Sequence, residues 1–158
     1  MKIYTLERTQ LVKKPLEEVF AFFERPENLS KITPPSAGFE ILTPGKITMQ
    51  TGAIIDYTVR PLGPRLHWRT LITDYDPPHK FVDVQLKGPY KFWHHTHTFE
   101  KTDEGTLITD RVSYILPFGI LGRLAHVLVV KRQLNNIFDY RSRVIERTFS
   151  DDKRKNER

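Results

Sequence analysis

The stretch KFWHHTHTFE at residues 91–100 places three histidines within four positions, His94, His95 and His97. Imidazoles this close can ligate a metal, carry protons or form a polar patch inside a protein. The choice depends on where each ring points, and along a strand successive side chains point to opposite faces. His95 and His97 therefore share a face with Trp93 and Phe99, while His94 shares the other with Thr96, Thr98 and Glu100.

The next segment divides into Ile108, Asp110, Val112 and Tyr114 against Leu107, Thr109, Arg111 and Ser113. A tight turn around TDEG (102–105) joining the two segments sets His97 opposite Asp110, His95 opposite Val112 and Trp93 opposite Tyr114. The aromatic set is assigned inward and His94 outward. A turn at Gly88-Pro89-Tyr90 then sets Phe81 opposite His97, Asp83 opposite His95 and Gln85 opposite Trp93. In 80–87 the apolar pattern opposes this, because Val82, Val84 and Leu86 are better suited to burial. Either a one-residue bulge near Gly88 or a polar inner wall would reconcile the two.

Zinc would need a third ligand from a neighbouring strand, for which His67 and Asp110 are conceivable donors. His67, however, has the parity opposite to Trp68, Thr70 and Ile72, and the aspartates are better suited to hydrogen-bonding the imidazoles. No metal and no cofactor is assigned. An imidazole held by a buried carboxylate can also act as a general base, so His95, His97 and Asp110 are the catalytic candidates. No serine or cysteine nucleophile in a recognisable local motif accompanies them, which leaves proton transfer as the available chemistry. The plainer reading, that the His–Asp pairs satisfy one another and set the polarity of a pocket, is preferred.

Arg141 follows Leu134, Ile137 and Phe138 on an apolar helical stripe. Its guanidinium either snorkels at the edge or points inward to Asp110 or Asp83, where it could meet a carboxylate or carbonyl of a ligand. Tyr57, Trp68, Phe81, Trp93 and Tyr114 supply flat apolar walls with polar tips.

The elements that position these residues follow from periodicity and turn chemistry. A strand spans 3–13, and PLEEVFAFFERPENL gives two short helices broken at Pro26, with Val19, Phe20, Phe22 and Phe23 as the buried face. Strands follow at 38–43, 53–61, 65–75, 80–87, 91–101 and 106–116, separated by Pro- and Gly-rich turns such as PLGP at 61–64. Residues from Gly119 to about Phe149 read as one long helix with Val127, Val130, Leu134, Ile137, Phe138, Val144 and Ile145 on one stripe. The apolar segment FGILGRLAHVLVVKR at 118–132 is expected to be its buried beginning; membrane contact or a mobile lid is the lesser reading. The expected fold is α+β: seven antiparallel strands curve around a C-terminal helix and leave a cavity between them.

A chain of 158 residues without cysteine and with no apolar run of membrane-spanning length fits a single cytoplasmic domain. Residues 1–150 are assigned to it, and 151–158 to a charged, mobile tail. The net charge of +6 is dispersed, so no nucleic-acid partner is assigned, and the oligomeric state is left open.

The stretches VFAFFERPENLSKITPP (19–35), DPPHKFVDVQLKGPYKFWHHTHTFE (76–100), GTLITDRVSYILPFG (105–119) and LNNIFDYR (134–141), in this order of elements, resemble the START-like helix-grip (SRPBCC) superfamily. Within it, the chain is most similar to the small bacterial polyketide cyclase/dehydrase-like ligand-binding proteins. The resemblance implies a pocket for a small, mostly apolar molecule between sheet and terminal helix, and it favours the polar inner wall carrying Asp83 and Gln85. The ligand-binding residues expected are Tyr57, Trp68, Phe81, Asp83, Gln85, Trp93, His95, His97, Asp110, Tyr114, Phe138 and Arg141. The expected function is binding of a lipid- or polyketide-like ligand. The alternatives are a cyclase or dehydratase using a His–Asp pair, and a non-enzymatic protein- or membrane-surface interaction module.

Overall fold

The computed structural model describes residues 1–60 and 63–156, with side chains as far as Ser150. Strand β1 (Tyr4–Val12) leads into helix α1 (Leu16–Phe23), then 3-10 turns at Pro26–Ser30 and Pro35–Ala37. Strands β2 (Glu40–Ile41), β3 (Ile54–Val59), β4 (Leu66–Asp76), β5 (Lys80–Lys87), β6 (Phe92–Thr102) and β7 (Gly105–Ile115) follow. The chain then turns helical as α2 (Gly119–Ala125), a π-helical turn (His126–Val130) and α3 (Lys131–Asn156). None of these helices is long and apolar enough to cross a membrane.

The strands form one antiparallel sheet in the order β1-β7-β6-β5-β4-β3-β2, and α3 packs across its inner face, giving the α+β helix-grip architecture. Burial along β6 alternates strictly from Trp93 to Phe99, as expected of a strand with one face in the core. Helix α1 begins after Pro15 with Glu17 and Glu18 in its first turn, where carboxylates complement the helix dipole. It stops before Arg25, whose extended backbone is what the following Pro26 demands.

The β6–β7 register is the expected one, with His97 opposite Asp110 and Trp93 opposite Tyr114. The turn that fixes it ends at Gly105, which adopts a φ of +142° and packs its Cα directly against the backbone of Val12 and Lys13. Asp83 lies opposite His95 and Phe81 opposite His97, but the β5–β6 ladder ends at Val84–His94. Gln85 therefore does not face Trp93; its side-chain amide bonds the backbone of Tyr90 at both N and O (3.2 and 2.7 Å), widening the connection. Of the two reconciliations for β5, the polar inner wall is the one adopted: the β5–β6 register runs without a bulge from Lys80–Thr98 to Val84–His94, and the irregularities lie in the β4–β5 pairing instead. Phe81 and Asp83 face inward, and the β4–β5 pairing skips Leu86, which is exposed, and Thr73.

Other elements depart from the expected bounds. The strand expected at 38–43 shrinks to two residues because the amides of Leu42 and Thr43 both turn onto the carbonyl of Asp56, which breaks the ladder. The strand expected at 53–61 pairs from Ile54 to Val59, and Pro61 and Leu62 of the PLGP loop lie outside the described residues. The segment 151–158 begins as a continuation of α3 to Asn156, and residues 157–158 lie outside the described residues.

The largest correction concerns 118–132. It is not buried: Phe118, Ile120, Leu121, Leu124, Val127 and Leu128 all stand in solvent. The wider winding of the π turn shifts the inner face by one position, so Val127 leaves the stripe that continues through Leu134, Phe138 and Ile145. His126 takes the inward position instead and bonds the Tyr114 hydroxyl at 2.8 Å.

Candidate functional site

Two apolar clusters fill the interior. One gathers Leu16, Val19, Phe20 and Phe23 of α1 against Phe81, Phe99, Ile108 and Ile145. The other gathers Ile55, Tyr57, Trp68, Ile72, Trp93, Val112, Leu134 and Phe138. Between them runs a polar band: Asp83 on β5, His95 and His97 on β6, Asp110 on β7 and Arg141 on α3. Strand alternation creates the band, because on β6 the inward positions run Trp93, His95, His97, Phe99, from one cluster to the other. On α3, Arg141 likewise falls between Phe138 and Ile145.

Within the band the two imidazoles lie 3.7 Å apart between ring centres, tilted by 33°, with a carboxylate on each side. His95 Nε2 lies 2.9 Å from Asp110 Oδ1, and His97 Nε2 lies 2.8 Å from Asp83 Oδ2. His97 Nδ1 is 2.8 Å from Asp110 Oδ1, whereas His95 Nδ1 stands 3.7 Å from Asp83 Oδ2. Arg141 Nη2 donates to Asp110 Oδ1 at 3.2 Å, and its guanidinium lies over the rings of Phe23 and Phe138. The inward reading of Arg141 is the one the structure adopts, at 7 % exposure.

Burial opposes charge on every member, so the partners decide. Burial raises the pKa of Asp110, but the Arg141 charge and the hydrogen bonds from His95 and His97 outweigh it and hold the carboxyl well below the usual range. Asp83 is lowered in the same way: burial is overcome by the His97 hydrogen bond and the charges around it. Burial also works against the His97 imidazolium, yet its bonds to Asp110 and Asp83 prevail and its pKa is raised. His95 is lowered, by burial first and then by the charge of His97. These directions favour ionised carboxylates, a cationic His97 and a neutral His95, a set whose charges balance with that of Arg141. A neutral His95 with Nε2 committed to Asp110 carries its lone pair on Nδ1.

Above this band lies a cavity of about 200 Å³. Of the residues expected at the site, Tyr57, Trp68, Phe81, Asp83, Trp93, His95, His97, Phe138 and Arg141 line it. Three stand elsewhere. Asp110 sits behind the histidines, Tyr114 turns its hydroxyl to His126, and Gln85 is spent on the Tyr90 backbone. His94 faces away, and His67 is bound to Asp56 at 2.6 Å. Sequence reasoning left out Phe22 and Phe23 of α1, Leu29 and Ile32 after it, and Tyr90, all on the cavity wall. The aromatic run in α1 was the available signal, but it reads equally well as ordinary core.

Two buried donors on this wall have no hydrogen-bond partner among the described residues, Trp68 Nε1 and Arg141 Nε. Buried polar groups are seldom left so. The Tyr57 hydroxyl is held by Thr70 at 3.2 Å, and burial raises its pKa, as it does that of Tyr90. Asp83, His95 and His97 also bring one ligand atom each within 4.8 Å of one another, the donor set a small cation could use. Arg141 Nη2, 3.4 Å from His97 Nδ1, sets a positive charge beside that position.

Residues 12–138 match a protein family described as polyketide cyclase/dehydrase and lipid transport. No curated protein matches the chain. Among solved structures, the protein TTHA0849 from Thermus thermophilus superposes with a TM-score of 0.70 at 17 % identity, over 92 % of this chain and 95 % of that one. The di-domain ARO/CYC StfQ from the steffimycin biosynthetic pathway gives 0.69 at 16 % identity, over 96 % of this chain and 52 % of that one. Ginseng major latex-like protein 151 from Panax ginseng gives 0.67 at 14 % identity, covering 93 % and 97 %. These likenesses show the fold.

Proposed function

Because the chain belongs to the polyketide cyclase/dehydrase and lipid transport family, we propose that it binds a small, largely apolar ligand bearing a hydrogen-bond acceptor in the cavity between sheet and α3. The observation that carries this reading is the cavity itself, whose aromatic wall of Tyr57, Trp68, Tyr90, Trp93 and Phe138 is interrupted by the polar side chains of Asp83, His95, His97 and Arg141. A carbonyl, carboxylate or phenolate oxygen on the ligand would find its hydrogen-bonding partners among these polar groups. A volume of about 200 Å³ suits a small ring system or the end of an acyl chain. Residues 1–150 act as one ligand-binding unit in this reading.

The test is a thermal-shift screen of aromatic acids, phenolic polyketide fragments and fatty acids, with native mass spectrometry for a co-purified molecule. A cavity ligand raises Tm with concentration by mass action. Acceptor-bearing compounds should stabilise the protein, while hydrocarbons of the same shape should do so less. No shift across the panel, together with no bound molecule in the native spectrum, would end the proposal.

A second reading, proton transfer on the bound ligand, is supported by the lone pair of His95 Nδ1 beside Asp83 on the cavity wall. Protonating that nitrogen would gain the Asp83 carboxylate as a partner, so His95 is the general base and Asp110 orients it. Turnover that is lost in His95→Gln while ligand affinity is kept would support it.

A further inference from the structure

The exposed apolar segment lies outside both the cavity and the polar band, and the cleft beside it shares Leu134 with the cavity wall. Ile120, Leu121, Leu124, Val127 and Leu128 recur at the spacing of one helical face, and that face points away from the protein. Their exposures of 77, 72, 57, 73 and 65 % leave a continuous aliphatic stripe in water. Phe118 heads the stripe at 82 % exposure, with its backbone in the left-handed region at φ +68°, a conformation a bulky residue seldom adopts. The opposite face is tied down. Gly122 lies so close to Pro117 that a side chain there would meet its carbonyl, and His126 stacks on Tyr4 at 3.6 Å and bonds Tyr114. A stripe this large on a lone chain marks a docking surface.

The charge around it identifies the occupant. Between Asp110 and Asp139 the chain has no carboxylate, while Arg123, Lys131 and Arg132 fall within or just after the stripe. Beside it opens a cleft of about 550 Å³ lined by Lys2, Tyr4, Arg123, His126, Lys131 and Asn135, and among the described residues no acidic one lines it. A second copy of this chain would bring the same cations face to face across a two-fold axis with no acid to pair them. A bilayer offers hydrocarbon directly beneath a layer of phosphates, which matches apolar side chains bordered by cations.

We propose that residues 118–131 and this cleft dock the protein onto an anionic phospholipid surface, with the aliphatic stripe in the interface and Lys2, Arg123 and Lys131 on headgroup phosphates. The docking is independent of what fills the cavity. It would set α2 and the π turn, which lead directly into the cavity-lining residues Leu134 and Phe138, against the membrane.

Co-sedimentation with vesicles of phosphatidylcholine containing about one third phosphatidylserine, against pure phosphatidylcholine, tests this. The protein should pellet with the anionic vesicles, and the effect should fade as salt is raised. Leu121→Ser with Leu128→Ser should weaken binding about tenfold or more, and Arg123→Glu with Lys131→Glu should abolish it. These side chains are exposed, so the variants should keep the wild-type Tm, which is measured alongside. Failure to bind anionic vesicles, unchanged binding by either double variant, or a dimer in sedimentation that excludes lipid would each overturn the proposal. Ligand binding in the cavity is read separately by thermal shift, so the two results do not confound one another.

Discussion

His95 lies opposite Val112 on the neighbouring strand, yet its Nε2 reaches past that pair to the carboxylate of Asp110 at 2.9 Å. His97, which does face Asp110, hydrogen-bonds Asp83 on the other side through its Nε2. The imidazoles thus tie three strands together diagonally, and Arg141 closes the arrangement from the helix.

Asp110→Asn should destabilise the fold strongly. The substitution leaves the buried Arg141 guanidinium and the His97 imidazolium without their common counter-charge, and breaking such a pair costs roughly 3–5 kcal/mol. Urea unfolding measures it; a loss under about 1 kcal/mol would mean the band is solvated and not a closed, buried unit.

The two histidines should titrate on opposite sides of the ordinary imidazole value of about 6.5. His97 has a raised pKa, so the folded state holds its proton more tightly than the unfolded chain does. Its contribution to stability is complete below about 6.5 and is lost as pH rises through the folded value. His95 has a lowered pKa, so its neutral form favours folding at higher pH and the benefit is lost as pH falls below about 6.5. Asp83 and Asp110, both depressed, stabilise above about 3.9 and lose that contribution as pH falls through their folded values. NMR titration of the ring protons checks the split; two coincident midpoints would contradict the assignment of neutral His95 and charged His97.

Arg141→Lys should separate two duties of one residue. Lysine keeps a positive charge near Asp110 but lacks the Nε donor and the planar fork. Stability should fall by about 1–2 kcal/mol, while affinity for an acceptor-bearing cavity ligand falls about tenfold or more. Calorimetric titration with the best compound from the screen decides it: unchanged affinity would remove Arg141 from ligand recognition.

Gly105→Ala should be costly for a steric reason alone. A Cβ there would lie 2.2 Å from the Val12 carbonyl oxygen and 2.8 Å from the Lys13 Cα, both backbone atoms that cannot swing aside. Its φ of +142° also disfavours any side chain. A loss of more than about 2 kcal/mol is expected, read from the urea midpoint at an unchanged slope.

Much of this was legible in the chain. The period-two alternation of 92–102 and 105–115, with the turn between them, was sufficient to pair His97 with Asp110, because one residue of slip would have sent every ring to solvent. The same parity sent His94 and His67 outward and Trp68, Thr70 and Ile72 inward. Such readings rest on local geometry, which the backbone repeats faithfully. The family resemblance supplied what parity alone left open, the inward face of β5.

What local geometry could not decide was decided in three dimensions. Whether Arg141 snorkels or turns inward depends on the free energy of Asp110 meeting it, a partner 31 residues away. Whether Asp110 reaches His95 or only His97 depends on how two adjacent rings share carboxylates across three strands. Above all, the apolar run at 118–132 has the composition of a core helix, yet in the assembled fold Gly122 and His126 take its inward positions and its aliphatic side is left outward. Composition and periodicity report that a segment prefers to leave water. Which surface receives it is a property of the assembled fold.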